Sequence, residues 1–369
     1  MNESPRVDPT GLKAVREHLA SERPTCSPSI LSRTERSRLV ERGLHGLYRW
    51  YVDRSQSTRY WNPDRSFDWK AMRKNHHDAV HTIVEGFYAV EQYVPDYVHT
   101  LLRVIRESYG RSHFHIRWGA EEEKHGDLWR NAVLSMGRRS PEWMENYTDV
   151  LRKKAWDLPF EDPLRMLAYT VLQERATQVN YLNLGLVASG KPVSQTLLGA
   201  ADPVLASACR TIAVDEAAHY NFFLEAARLF LYYFPEDMTE ALVDVVRHFG
   251  MPAREIIPDY DRFGAVLHDH AIFSRRIHYR DVVKEALAQL GMADLKAVED
   301  GIRQTRLVPA PDGSMRGTAI FETIDHDFVV GKVQRLFGRV NEYLDSAGVS
   351  HTMPLEFVQH DWRSEGGAE

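Results

Sequence analysis

Apolar residues recur along most of this chain at the three- and four-residue spacing of helices, and four long stretches carry a charged residue on the same face. In residues 70–108, Val84, Phe87, Tyr88, Glu91, Val94 and Val98 share one side of a predicted helix. Pro95 falls inside it and cannot donate a backbone hydrogen bond to the Glu91 carbonyl, so a bend is expected beside Glu91. A second helix is predicted from about Ser112 to Ser135, with Trp118, Glu122, His125, Trp129 and Met136 on one stripe. A third opens at Pro163 and runs to Ser189-Gly190, its inner face carrying Leu167, Val171, Glu174, Thr177 or Gln178, Tyr181 and Gly185. The fourth starts at Asp202-Pro203, a capping aspartate before proline at the first helical position, and ends near Phe234. Its stripe is Cys209, Ile212, Glu216, His219, Phe223 and Ala226.

Shorter helical patterns surround these four. Ser32-Arg33-Thr34-Glu35 opens one that runs to about Asp53, and its Arg33, Arg36, Arg38 and Arg42 read as a solvated face or a contact for an acidic partner. The aromatic segment around Trp61-Asn62-Pro63 reads as a loop. Further helical patterns begin at Glu236, at Tyr260 and after the turn signal Ala310-Pro311-Asp312-Gly313. Arg275, Arg276, Arg280 and Lys284 form a second basic surface. His76, His77 and His81 read as surface or helix-end residues, and His268 and His270 as hydrogen-bonded or exposed. The proposed division is an N-terminal arm over 1–30, partly mobile, one domain over 31–362 and a disordered tail over 363–369.

Composition changes this picture little. The 369 residues are 43% hydrophobic and 27% charged, as in ordinary globular proteins. A formal net charge of -6 argues against general nucleic-acid binding. Cys26 and Cys209 stand alone, which implies neither a disulfide framework nor a zinc site. No apolar run reaches a membrane span, and the N-terminus has no signal core, so a cytoplasmic location is expected.

The charged residues inside the apolar stripes carry the chemistry. A lone glutamate followed by a Glu-x-x-His helix occurs twice: Glu91 with Glu122 and His125, then Glu174 with Glu216 and His219. Residues i and i+3 lie on one helix face, so each Glu-x-x-His can aim both side chains at one place. Four carboxylates and two imidazoles are the ligand set of a carboxylate-bridged di-metal centre in a helical bundle. Oxygen and nitrogen donors suit Fe(II) or Mn(II), and no thiolate is present to favour zinc or copper. Two divalent ions would neutralise four carboxylates, which permits burial in a dry interior. Because short motifs recur by chance in a chain with 17 histidines, the apolar stripes around them carry more weight than the motifs.

At these residues the sequence resembles the soluble acyl-acyl-carrier-protein desaturases, the plant and actinobacterial di-iron type. EEEKHGD resembles the family's EENRHGD, QERAT is identical to its QERAT, DEAAH resembles DEKRH, and VEQYVP resembles its EEALP segment. Weaker similarity extends through residues 251–253 and 352–354. The resemblance implies an all-α, ferritin-like four-helix di-metal core with flanking helices. It implies that Glu91, Glu122, His125, Glu174, Glu216 and His219 bind two iron ions, with manganese open. Asp215 matches an acid that hydrogen-bonds a ligand histidine, and Thr177 a threonine implicated in proton delivery. Trp61 resembles a tryptophan on the family's electron route.

The implied activity is O2-dependent introduction of a cis double bond into a saturated acyl chain carried on acyl carrier protein. The resemblance also implies a ferredoxin-type donor of two electrons and a homodimer. The Lys-Arg of DEKRH is Ala217-Ala218 here, which bears on the substrate more than on the centre. Alternatives on the same scaffold are a di-iron hydroxylase or N-oxygenase of a carrier-bound or specialised metabolite, a radical-generating subunit using Tyr88, Tyr181 or Tyr220, and a non-redox ferritin-like interaction or iron-handling protein.

Overall fold

A computed structural model describes residues 31–191, 193, 195–304, 307–309, 315–317, 323–349 and 354–358. The arm over 1–30, the tail over 363–369 and the turn at 310–313 lie outside them. The regular elements of the described residues are helices, apart from one pair of three-residue strands, β1 (Leu307–Pro309) and β2 (Met315–Gly317), which pair antiparallel with Val308 opposite Arg316. The all-α expectation holds for the body, and this small pair is an addition to it.

Helix α1 (Arg33–Thr58) opens where the sequence signal placed it, on a capping box. The Glu35 amide donates to Ser32 Oγ at 3.3 Å, and the Ser32 amide donates to Glu35 Oε2 at 2.7 Å. Val40, Leu44, Leu47 and Tyr51 form its buried side. Arg36 departs from the solvated-face reading. It is buried, donates to the Tyr233 carbonyl at 3.1 Å and lies over the Phe234 ring.

The long helix expected over 70–108 is two helices, α2 (Asp78–Glu91) and α3 (Val94–Ile105), preceded by a 3-10 turn at Trp69–Ala71. Pro95, in the first turn of α3, does more than bend the chain. Just before it the backbone changes to three-residue bonds, Gln92 to Ala89 and Tyr93 to Val90, each at 3.4 Å. The Tyr97 hydroxyl also donates to the Val90 carbonyl at 3.0 Å, a shorter bond where the ladder has loosened. The break places Glu91 at the last residue of α2.

Helices α4 (Tyr109–Ser135) and α5 (Pro141–Leu151) follow, then α6 (Pro163–Ala188) and α7 (Pro203–Tyr233). Gly110 lets α4 reach α1, because a Cβ there would lie 2.4 Å from the Leu44 carbonyl carbon. Asp162 and Asp202 cap α6 and α7 through two backbone amides each, both ahead of proline. Asp202 also accepts from the Arg73 amide and pairs with His76, each at 3.0 Å. His76 is therefore buried, because the segment before α2 folds onto the start of α7, and His81 is buried on α2 itself, where surface or helix-end positions were expected; His77 is exposed and caps the start of α2, as expected. His268 is exposed, and His270 bonds Thr196, as expected.

Helices α2, α4, α6 and α7 make the central bundle, with α6 packed along α7 and α1 along α4. Outside it lie α8 (Pro235–His248), α9 (Tyr260–Asp269), α10 (Arg275–Ile277), a π-helical turn (His278–Val283), α11 (Lys284–Gln289), α12 (Leu295–Gln304) and α13 (His326–Ser346). One hydrophobic core runs through the described residues from Leu31 to Leu355. None of the described helices is long and apolar enough to cross a membrane.

Candidate metal centre

Each central helix delivers its charged residues to one point. Helix α2 brings Glu91, α4 brings Glu122 and His125, α6 brings Glu174, and α7 brings Glu216 and His219. All six are buried. Glu91, Glu122, His125 and Glu216 can each offer an atom within 4.8 Å of the others, and so can Glu122, Glu174, Glu216 and His219. Glu122 and Glu216 belong to both groups, so if each group held an ion these two residues would be shared. Each group has one glutamate and one histidine of its own.

Both imidazoles turn Nδ1 inward. His125 Nδ1 lies 3.1 Å from Glu122 and 3.3 Å from Glu216, and His219 Nδ1 lies 2.9 Å from Glu122 and 3.4 Å from Glu174. Yet Glu122 Oε1, Glu174 Oε2, both Glu216 oxygens and His219 Nδ1 are buried without a partner in hydrogen-bond geometry. They crowd a common volume without bonding across it. Buried polar atoms are nearly always satisfied, and cations at the centre would satisfy this set. The donor set therefore fits a di-metal site.

The electrostatics agree. Burial raises Glu91 and Glu174 well above the usual carboxylate range, reinforced by Glu122 for the first and Glu216 for the second. Burial would raise Glu122 too, but His125 and His219 hold it down to about 2. Burial opposes charging of the two histidines, yet the acidic groups around them raise both well above the usual imidazole value. Without cations the cluster holds protons, and metal binding would release them.

Outside the cluster lies a crossed pattern. His125 Nε2 faces Asp215 Oδ2 at 3.4 Å, and His219 Nε2 faces Glu121 Oε2 at 3.0 Å. Asp215 immediately precedes Glu216, and Glu121 immediately precedes Glu122, so each helix orients the histidine of the other. Arg59 Nη1 joins the two acids, 3.0 Å from Glu121 and 3.3 Å from Asp215. Tyr51 donates to Glu121 at 2.6 Å, Ser55 bonds its other oxygen, and Trp61 Nε1 donates to Asp215 at 2.8 Å. Lys124 lies over the Trp61 indole.

Asp215 and Trp61 thus adjoin the cluster through His125. Thr177 is buried one turn after Glu174, where its hydroxyl donates to the Gln173 carbonyl at 3.0 Å and accepts from the Gln173 side-chain amide at 3.1 Å. By spacing, Glu121 and Glu123 stand beside Glu122 off the His125 face, as outer partners or solvated side chains, and nothing in the sequence picks out Tyr51 or Arg59. The doubled pattern acid-Glu-x-x-His held the signal for Glu121. Nothing in the spacing signalled Tyr51 or Arg59, which arrive from α1 and the segment after it. Glu123 is exposed. Tyr181 bonds Glu91, Tyr88 bonds Thr148, and Tyr220 lies against Arg175.

An apolar cavity adjoins the cluster. Its walls include Tyr97, His115, Trp118, Trp156, Met166 and Thr170. Trp118 Nε1 donates to Glu174 at 3.0 Å, which joins this wall to the centre. A neighbouring cavity shares Leu101, Met166 and Thr170 and reaches Phe222 and Phe223. A separate cavity of about 380 Å³ lies against Glu225, Arg335 and Arg339 and contains none of the cluster residues.

Comparison with known proteins places this arrangement. The stearoyl-[acyl-carrier-protein] 9-desaturase 6, chloroplastic, of Arabidopsis thaliana is 35% identical over 138 residues, which is 37% of this chain and 33% of that one. The stearoyl-[acyl-carrier-protein] 9-desaturase 1, chloroplastic, of Oryza sativa subsp. indica is 29% identical over 175 residues, covering 45% of this chain and 43% of that one. The chain thus matches about a third to under half of these relatives' length. The X-ray structure of a protein assigned as the acyl-ACP desaturase DesA2, from Mycobacterium tuberculosis H37Rv, is 17% identical with a TM-score of 0.46, covering 68% of this chain and 93% of that one. That likeness is too weak to extend the assignment. The family model described as fatty acid desaturase matches residues 64–308, a span holding all six cluster residues together with Asp215 and Thr177. With two thirds of its length inside that match, the chain belongs to the fatty acid desaturase family.

Proposed function

We propose that this chain is an acyl-[acyl-carrier-protein] desaturase that introduces a cis double bond into a saturated fatty acyl chain. The observation that carries this reading is the pair of four-residue groups sharing Glu122 and Glu216, all of them buried in the central bundle. Family membership and the names of the relatives support it.

In this reading Glu91, Glu122, His125, Glu174, Glu216 and His219 hold two iron ions, manganese being the alternative for the same donors. When bound, the irons would supply the redox chemistry, removing two hydrogens from adjacent methylenes while O2 is reduced to two waters with two further electrons from a ferredoxin-type protein.

The chain's own residues prepare the site. Asp215 and Glu121 keep the proton on Nε2 of each imidazole, so Nδ1 presents a lone pair inward. Trp118 orients Glu174 and closes the wall between cluster and cavity. Thr177 holds a hydroxyl proton one turn from Glu174 and would relay it during turnover. Trp61, touching Asp215 and stacked on His125, would carry electrons from the donor. The basic surface at Arg33, Arg38 and Arg42, or the one at Arg275, Arg276, Arg280 and Lys284, would receive the acidic carrier, since complementary charge speeds encounter. Residues 31–362 would act as one domain in a cytoplasmic homodimer.

The test is anaerobic iron loading and reduction, then one exposure to O2 with a panel of acyl-carrier-protein thioesters, read by mass spectrometry. Loss of two hydrogens that disappears in Glu122→Ala establishes desaturation. Gain of one oxygen moves the protein to the hydroxylases or N-oxygenases. Absence of bound metal overturns the reading.

A further inference from the structure

Away from the cluster, the cleft between α7 and α13 gathers cations that the metal centre does not use. Its cavity of about 380 Å³ is lined by Glu225 of α7 and by Lys332, Arg335, Gly338, Arg339 and Glu342 of α13. Glu225 lies nine residues beyond Glu216, about 14 Å further along the α7 axis, so the two sites are separate.

The carboxylate of Glu225 is already engaged. Arg339 Nη2 donates to it at 2.6 Å and Arg228 Nη1 lies 3.2 Å away, while Arg228 is itself fixed by the Gln289 carbonyl at 2.9 Å and the Gln289 side chain at 3.1 Å. Lys332 lies over the Phe328 ring and Arg335 is exposed, and among the described residues neither has a carboxylate at ion-pair distance. Burial lowers the Lys332 ammonium below its usual value, reinforced by Arg228, Arg335 and Arg339 and opposed by Glu225 alone. Around the cavity Arg228, Lys332, Arg335 and Arg339 thus face only Glu225 and Glu342. Two positive charges are in excess there, in a chain whose net charge is -6.

We propose that this cleft binds the phosphate monoester group of a small organic molecule. Such a group carries about -1.5 to -2 charges at pH 7, which matches the excess, whereas a carboxylate would leave one cation unanswered. Guanidinium and ammonium donors form charge-assisted bonds with its oxygens. The volume falls in the range of small-molecule sites, roughly 300–1,000 Å³, and exceeds what a bare phosphate fills. The organic part lies along Gly338, where α13 carries no side chain and the space beside the backbone is open. This site does not rest on the desaturase reading.

The experiment is calorimetric titration of the full chain, at fixed ionic strength, with glucose 6-phosphate, inorganic phosphate and glucose. Wild type should bind glucose 6-phosphate saturably at one per chain, more tightly than inorganic phosphate, and should not bind glucose. Lys332→Gln combined with Arg335→Gln should weaken that binding at least about ten-fold. Arg275→Gln combined with Arg276→Gln, on the other basic surface, should leave it unchanged. If the first pair does not fold, Arg335→Glu alone, at an exposed position without an ion-pair partner, decides by the same loss. Inorganic phosphate binding as tightly as glucose 6-phosphate would mean an adventitious ion only and overturns the proposal. So does the absence of saturable binding, or binding that survives the loss of Lys332 and Arg335. None of these results bears on the desaturase reading, which acyl products decide.

Discussion

Glu121 and Asp215 are tied to each other through one guanidinium nitrogen of Arg59, at 3.0 and 3.3 Å, although they lie on different helices far apart in the chain. Each acid holds the histidine carried by the other's helix, so Arg59 bears on both imidazoles at once. The guanidinium also lies over the Tyr51 ring, and its side chain is only 6% exposed.

Arg59→Met should therefore weaken both ion positions together, whereas Asp215→Asn should weaken chiefly the one that uses His125. Losses of outer partners of metal-binding histidines typically run about 10–100-fold in affinity. Anaerobic Fe(II) titration followed by equilibrium dialysis measures this. Loss confined to one position in Arg59→Met would show that the link between the acids is incidental.

Sharing of Glu122 and Glu216 sets a second expectation. Glu122→Ala or Glu216→Ala should reduce bound metal from two ions per chain to less than one. Glu91→Ala or Glu174→Ala should leave about one, because each serves a single group. Elemental analysis of the purified variants distinguishes the two patterns.

The low pKa of His115 has a consequence for acid stability. Its folded value of about 4 lies below the unfolded value of 6.5, so the native state binds this proton less well than the unfolded state. The resulting stability is present above pH 6.5 and is lost as pH falls through 4. The shift corresponds to at most roughly 3 kcal/mol. Replacing His115 with Phe should flatten that part of the acid limb in urea melts recorded between about pH 7 and pH 4. An unchanged limb would mean the ring is free to protonate in the native state.

Asp202 joins a helix cap to a tertiary contact. It holds two α7 amides, the Arg73 amide and His76, and these partners bring its carboxyl down to about 2 despite burial. Asp202→Ala should cost about 2–4 kcal/mol, more than an ordinary cap, because it also leaves buried partners unpaired. Chemical denaturation measures it, and a loss under about 1 kcal/mol would assign Asp202 to capping alone.

All six cluster residues were legible in the sequence because helical periodicity fixes which residues share a face. Glu122 with His125, and Glu216 with His219, sit three apart on apolar stripes. The starts of α1 and α7 were legible for the same local reason, since Ser32-Glu35 and Asp202-Pro203 act within one turn.

Periodicity says nothing about what arrives from elsewhere. Whether Pro95 bends a helix or ends it depends on whether the loosened backbone groups find partners, and Tyr97 provides one. His76 is polar and outside any helical stripe, and it is buried because the segment before α2 packs on the capped end of α7. Tyr51 and Arg59 meet Glu121 only through the packing of α1 against α4, which Gly110 permits. Local spacing determined the four inward faces and the charges on them. Tertiary packing alone decided which acid orients which histidine, and which buried nitrogen is left without a partner, because hydrogen-bond satisfaction is settled between elements far apart in the chain.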